Sequence, residues 1–242
     1  LEVMAPPTVV FYRFLMASIG LGAILAIKGK LPPMRIFRKP RWLVLLAIAT
    51  GGLFGNFILF SSSLQYLSPT ASQVIGQLSP VGMMVASVVI LKERMRGTQV
   101  VGALMLLSGL VMFFNTSLIE IFTRLTDYTW GVIFGVAAAT GWVSYGVAQK
   151  VLLRRLASQQ ILFLLYTLCT IALLPLAEPG VISRLSSWQL ACLIFCGLNT
   201  LVGYGALAEA MARWQAAQVS ALITLTPLFT LLFSDLLSMA WP

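Results

Sequence analysis

The sequence predicts an all-α polytopic membrane protein folded as an inverted-repeat helical bundle, and three observations carry that prediction. Apolar runs of about 20 residues recur along the 242-residue chain, the length a helix needs to cross a bilayer. Basic residues concentrate on alternate loops between those runs. A pattern of polar residues around a central proline also occurs twice. Pro80 has Gln73 seven residues before it, Ser79 one before and Ser87 seven after; Pro227 has Ser220, Thr226 and Ser234 at the same offsets.

Composition sets the class. The chain is 59% hydrophobic and 10% charged, with a mean hydropathy of +0.94, well above the roughly half-apolar make-up of soluble domains. An unsatisfied backbone group costs several kcal/mol in lipid, so spanning segments are helices or a closed barrel. The alternation expected of barrel strands is absent, which selects helices. Eight spans are expected, at about 7 to 27, 42 to 61, 69 to 91, 98 to 115, 129 to 150, 158 to 176, 188 to 211 and 215 to 238.

The loops orient these spans in order. Lys28, Lys30, Arg35, Arg38, Lys39 and Arg41 come after the first, and Lys92, Arg94 and Arg96 after the third. Lys150, Arg154 and Arg155 come after the fifth, and Arg213 after the seventh. These loops hold thirteen of the sixteen basic residues, whereas the intervening loops hold only Arg124 and Arg184. The positive-inside rule makes the basic loops cytoplasmic and turns the segments near 62 to 68, 116 to 128 and 177 to 187 outward. The net charge of +9 is therefore a topology signal; without a basic face carrying interleaved aromatics, no nucleic-acid partner is expected.

The two proline segments lie in the third and eighth spans, an odd offset of five helices, so the copies run in opposite directions through the bilayer. The span before each copy matches as well, with Gly51 nine residues after Trp42 and Gly197 nine after Trp188. The chain divides into a first repeat at 1–115 and a second at 129–242. With a five-helix unit, one helix is expected before Leu1 and one after Pro242; no signal peptide is visible at Leu1.

The stretch from Pro69 to Pro80 and Val81, then Leu91, Lys92 and Glu93, then Gly102 and Gly109, resembles the EamA-type branch of the drug/metabolite transporter superfamily. Gly131, Trp142 and Tyr145, and Pro227 further on, repeat the theme, and Arg13 resembles an arginine common in that family's second helix. The resemblance implies ten helices as five plus five, of which eight are present here, and passage of a solute through a central cavity by alternating access. It also carries tendencies towards export and amino-acid-like solutes. The chain departs from its own pattern at Ala240, where a second copy of Glu93 would fall.

Polar side chains inside membrane helices tend to face the bundle or a watery cavity, which singles out the candidate site. Gln73 and Gln77 share a helix face near Pro80, where a missing hydrogen bond permits a bend. The alternative is that these amides tie neighbouring helices together. Ser220 and Thr224 play the comparable part beside Pro227, unless their hydroxyls bond their own helix. Asn56 and Asn199 are mid-helix amides in repeat-related spans, and Trp142, Tyr145 and Tyr204 offer large faces with polar tips.

Arg13 lies about six residues, roughly 9 Å, inside its span. It either snorkels outward or meets a substrate carboxylate. Glu93 reads as a helix-end partner of basic neighbours, and Glu209 and Asp235 are the carboxylates nearest helix interiors. Glycines including Gly51, Gly52, Gly55, Gly131 and Gly135 are expected to admit close helix packing.

The leading expectation is an inner-membrane secondary transporter, an exporter, for small neutral or zwitterionic metabolites. Few fixed charges sit in the spans, so a multiply charged solute would be poorly compensated. An enzyme is disfavoured: there is no histidine, no paired intramembrane carboxylate and no cysteine beside a base. Cys169, Cys192 and Cys196 lie in apolar runs and read as small buried residues rather than metal ligands, so no metal or cofactor is expected. An assembly protein with a filled bundle is the other alternative. The expected partners are the lipid bilayer and a small-molecule substrate, with the monomer favoured.

Overall fold

The computed structural model describes residues 4–33, 38–94, 96–123, 127–226, 229 and 232, excluding the side chains of 69, 70, 73, 110 and 113–123. Among the described residues it is all-helical and free of strands. The helices are α1 (Pro6–Ile27), α2 (Pro40–Ser63), α3 (Pro69–Gly76), α4 (Leu78–Val89), α5 (Gly97–Thr123), α6 (Asp127–Leu152), α7 (Ser158–Leu173), α8 (Ser187–Arg213) and α9 (Ala216–Ile223). Among the described residues, five are long and apolar enough to cross a membrane: α1, α2, α6, α8, and α7 with a 3-10 turn that carries it to Leu176.

Local sequence explains where they begin. Proline opens α1, α2 and α3, where its missing N–H has no intrahelical partner to lose. Ser68 Oγ accepts from the Ala71 amide at 3.2 Å to cap α3. Four other helices use a glutamine in the first turn that reaches back: Gln99, Gln160, Gln189 and Gln218 each accept the backbone N–H three residues earlier, at 2.8 to 3.3 Å. At the far end of α1, Gly29 adopts a positive φ of 60° and Lys30 N–H closes on Leu25 O at 2.9 Å, ending the helix in a Schellman turn.

Two expectations need correction. The third span is not one helix: it is broken at Gln77 into α3 and α4. Pro80 has no N–H to offer the carbonyl four residues back and its ring crowds that turn, so the helical ladder fails there. The loop expected at 116 to 128 is mostly helix, with α5 continuing to Thr123 and α6 starting at Asp127. No glycine or proline lies between Leu110 and Trp130 to stop it. The eighth span is described as α9, and Pro227 lies outside the described residues.

Packing centres on α6, which takes α2 along one side and α3 and α4 along another. Its glycines make room. A Cβ on Gly141 would sit 2.9 Å from Gly52 O, one on Gly131 2.6 Å from Leu67, one on Gly135 2.8 Å from Ile75 and one on Gly146 3.0 Å from Met83. Of the other glycines named from sequence, Gly51, Gly55, Gly102 and Gly109 face open space. The main core joins α1, α2, α6, α7 and α8 around Phe14, Leu53, Tyr145, Leu165 and Tyr166, all fully buried.

Candidate functional site

Trp142, Tyr145 and Gln149 succeed one another at helical spacing along α6 and face α4, α8 and α9. With Met83, Leu207, Met211, Ser220 and Ile223 they line a narrow cleft whose cavity volume is about 10 Å³, room for about one water. Gln149 and Tyr145 are buried, and neither the two amide atoms of Gln149 nor the Tyr145 hydroxyl has a hydrogen-bond partner among the described residues. The hydroxyl neighbours the amide one turn away without reaching hydrogen-bond geometry. A polar cavity wall of this kind favours occupants that both donate and accept.

An aromatic chain leaves this cavity towards α1. Ring centroids lie 5.3 Å apart for Trp142 and Tyr145, 6.0 Å for Trp142 and Tyr204, and 6.3 Å for Tyr204 and Phe57. Arg13 stands over the Phe57 ring at 5.6 Å and donates through Nε to Thr200 Oγ1 at 2.9 Å. Tyr166 OH donates to Thr200 O at 3.2 Å, so Thr200 joins α1, α7 and α8. Thr200 is the middle residue of α8. Arg13 thereby ties α1 to the middle of α8.

The remaining sequence candidates lie elsewhere. Asn56 Nδ2 donates to Ala138 O at 2.9 Å, tying α2 to α6. Asn199 is on an exposed face of α8. Thr224 Oγ1 bonds its own helix at Ala221 O, 2.7 Å, and lines a second recess between α4, α5 and α9 together with Met84, Gln99 and Gly102. Gln77 caps the C-terminus of α3, and Pro80 is buried in the first turn of α4. Gln73 contributes its backbone to α3, and its side chain is outside the described structure.

The chain and its fold have counterparts among known proteins. The EamA-like transporter family matches residues 1–115 and 129–241. The chain belongs to the EamA-like transporter family. It is 89% identical over all 242 residues to an Escherichia coli K12 protein named "Uncharacterized inner membrane transporter YhbE", covering 75% of that protein. It is 45% identical over 236 residues to an "Uncharacterized transporter" of Haemophilus influenzae, covering 98% of this chain and 76% of that one. A solved crystal structure matches with a TM-score of 0.72 at 22% identity, over 99% of this chain and 81% of that one, a likeness of fold. This EamA-like protein is a multi-pass inner-membrane transporter.

In this EamA-like transporter two features of the site went unread in the sequence. Gln149 is a polar side chain inside an apolar helix, the same signal that picked out Gln77, and it was not singled out. Lys150 itself turns inward. Its Nζ donates to Met211 O at 2.7 Å and Trp214 O at 2.5 Å and stands 3.8 Å from Glu93 Oε1. Glu93 Oε2 accepts from the Ala216 amide at 2.8 Å, so this pair fastens α4 and α6 to the α8–α9 corner. Lys92, the one non-glycine with positive φ among the described residues, bends the chain by which Glu93 reaches that corner. Glu209 accepts from Ser158 Oγ and pairs with Arg213 at 3.3 Å.

Proposed function

We propose that this EamA-like transporter exports small neutral or zwitterionic, amino-acid-like solutes by alternating access. Residues 1–115 and 129–242 act as inverted repeats, with the basic loops on the cytoplasmic side and a central cavity between the halves. Transport is its whole activity on this reading: no chemistry, no metal or cofactor and no nucleic acid, with the monomer as the working unit.

One observation carries the repeat. Helix α3 is capped at Ser68 and interrupted at Gln77; helix α9 is capped at Gln215 and interrupted at Thr224, each position 147 residues on. That is also the separation of Pro80 from Pro227, so one proline rule breaks both helices three residues before the ring. Helix pairing supports the same relation. If α1 corresponds to α7, and α2 to α8, then the packing of α1 on α8 has its counterpart in α2 on α7, and both occur. Two segments built to bend alike beside a polar cavity suit a cycle in which one half rocks against the other.

The test is solute movement by the full-length protein in liposomes of known orientation, across a panel of neutral amino acids and charged metabolites, with and without a pH gradient. Counterflow of neutral amino acids from the basic-loop side outward, reduced by Trp142→Ala with membrane insertion intact, supports the reading. Failure to move any panel member, in protein that is inserted and folded, favours an assembly role and overturns it.

A further inference from the structure

We propose that Arg13 is the anchor for a substrate carboxylate, so that the solutes carried are those bearing one free carboxylate beside an apolar or aromatic body; this rests on the transporter reading above.

An arginine at membrane depth is costly and is normally paired. Arg13 is seven residues inside α1, and among the described residues no carboxylate lies within 4 Å of it. The described acids are committed elsewhere or are far from the bundle centre. Glu93 serves Lys150 and Ala216, Glu209 serves Arg213 and Ser158, and Asp127 and Glu178 are at helix starts. What holds the guanidinium is neutral: Thr200 Oγ1 on Nε and the face of Phe57. Neither contact supplies a counter-charge. Both nonetheless fix the orientation of the group, and among the described residues no acceptor occupies Nη1 or Nη2. A planar fork held by its root with its two outer nitrogens unengaged is the arrangement that receives a carboxylate through two parallel hydrogen bonds.

The surroundings say what the rest of the solute is. Arg13, Phe57, Trp142 and Tyr204 come from four different helices, and each is only partly buried although it lies within the spans. The ring contacts run without interruption from Phe57 to Tyr204 to Trp142, into the cavity at Tyr145. A carboxylate on Arg13 therefore has aromatic faces beside it for an apolar body or for an ammonium group. No second described cation joins Arg13 there, which argues for one carboxylate rather than two or a phosphate.

The experiment compares each of ten neutral L-amino acids with its own amide, which has the same body and no carboxylate. The full-length protein is used in liposomes for transport and in detergent for ligand-induced thermal shift. For whichever amino acids are moved, the acid is expected to exceed the amide by at least about tenfold. Arg13→Gln is expected to raise KM for the acid about 10- to 100-fold, the loss of a charge-assisted hydrogen bond, while leaving the weak response to the amide unchanged. Arg13→Lys should recover part of that affinity. Equal transport of acid and amide overturns the carboxylate anchor and leaves the transporter reading standing. So does an Arg13→Gln protein that loses acid and amide alike, because a merely structural arginine would act that way. If Arg13→Gln does not fold, the wild-type thermal shift decides by itself: stabilisation by acids over amides supports the proposal and equal stabilisation overturns it. Movement of neither class ends both readings.

Discussion

Gln77 and Thr224 end their helix segments with nearly the same backbone geometry. Each closes an eight-residue helix segment, with backbone angles of −67° and −12° at Gln77 and −62° and −16° at Thr224. The two side chains share no chemistry beyond polarity, so the likeness comes from the proline that stands three residues beyond each of them. Proline imposes the break whatever residue bears it.

Replacing Pro80 by alanine is therefore expected to heal the gap between α3 and α4. Alanine returns an N–H to the Gly76 carbonyl and relieves a defect worth up to about 3 kcal/mol in a helix interior. The expected outcome is a folded protein of equal or higher thermal stability, by about 1 kcal/mol, with a transport rate reduced at least tenfold. Unchanged turnover in liposomes would show that the break is not part of the cycle.

How much of this was legible in the sequence depended on the length scale. Spans such as α1, α2, α6 and α8 were readable to within two or three residues, because the bilayer sets how long an apolar run must be. The rotation of each span was not. Helices such as α1 and α8 are apolar nearly all round, so nothing in their own sequences says which face turns inward. Asn199 was singled out by its amide and is exposed on α8, while Thr200 beside it is the residue that holds Arg13. Lys150 was read as a solvated loop charge because the carbonyls that receive it, Met211 and Trp214, lie more than sixty residues further on.

Gly52 and Gly51 are expected to respond to alanine with opposite signs. A Cβ on Gly52 would lie 2.6 Å from Gly141 O and 2.8 Å from Tyr145 N, both backbone atoms that cannot step aside. Gly52→Ala should cost about 1–3 kcal/mol by forcing α2 off α6. Gly51 has nothing within 4 Å, and Gly51→Ala should stabilise by about 0.5–1 kcal/mol through reduced chain entropy. Thermal unfolding of the two variants in the same detergent checks both signs.

Glu93 joins two neighbours through different oxygens, which separates its charge from its shape. Glu93→Gln keeps an acceptor for the Ala216 amide and loses only attraction to Lys150 across 3.8 Å, a partly exposed pair worth at most about 1 kcal/mol. Glu93→Ala also strands that amide and is expected to cost about 1.5–3 kcal/mol. A double-mutant cycle with Lys150→Met should show similar coupling for both variants, the extra loss in alanine lying outside the Lys150 pair. Equal loss in the two single variants would mean that charge alone matters.

Gln149 offers the clearest separation of function from stability. Its side chain is fully buried and neither amide atom is hydrogen-bonded among the described residues, so the folded protein carries the desolvation cost of two polar atoms without return. Leucine has a similar volume and no such cost. Gln149→Leu is therefore expected to stabilise the protein by about 1–3 kcal/mol in thermal unfolding. A residue that destabilises the fold at rest earns its place by what it meets during transport, because a solute entering between Trp142, Tyr145 and Ser220 would supply the missing partners. The same variant is accordingly expected to lower transport at least tenfold, with Gln149→Asn, one carbon shorter, falling between the two. A Gln149→Leu protein that is less stable yet fully active would mean that the amide is a structural tie.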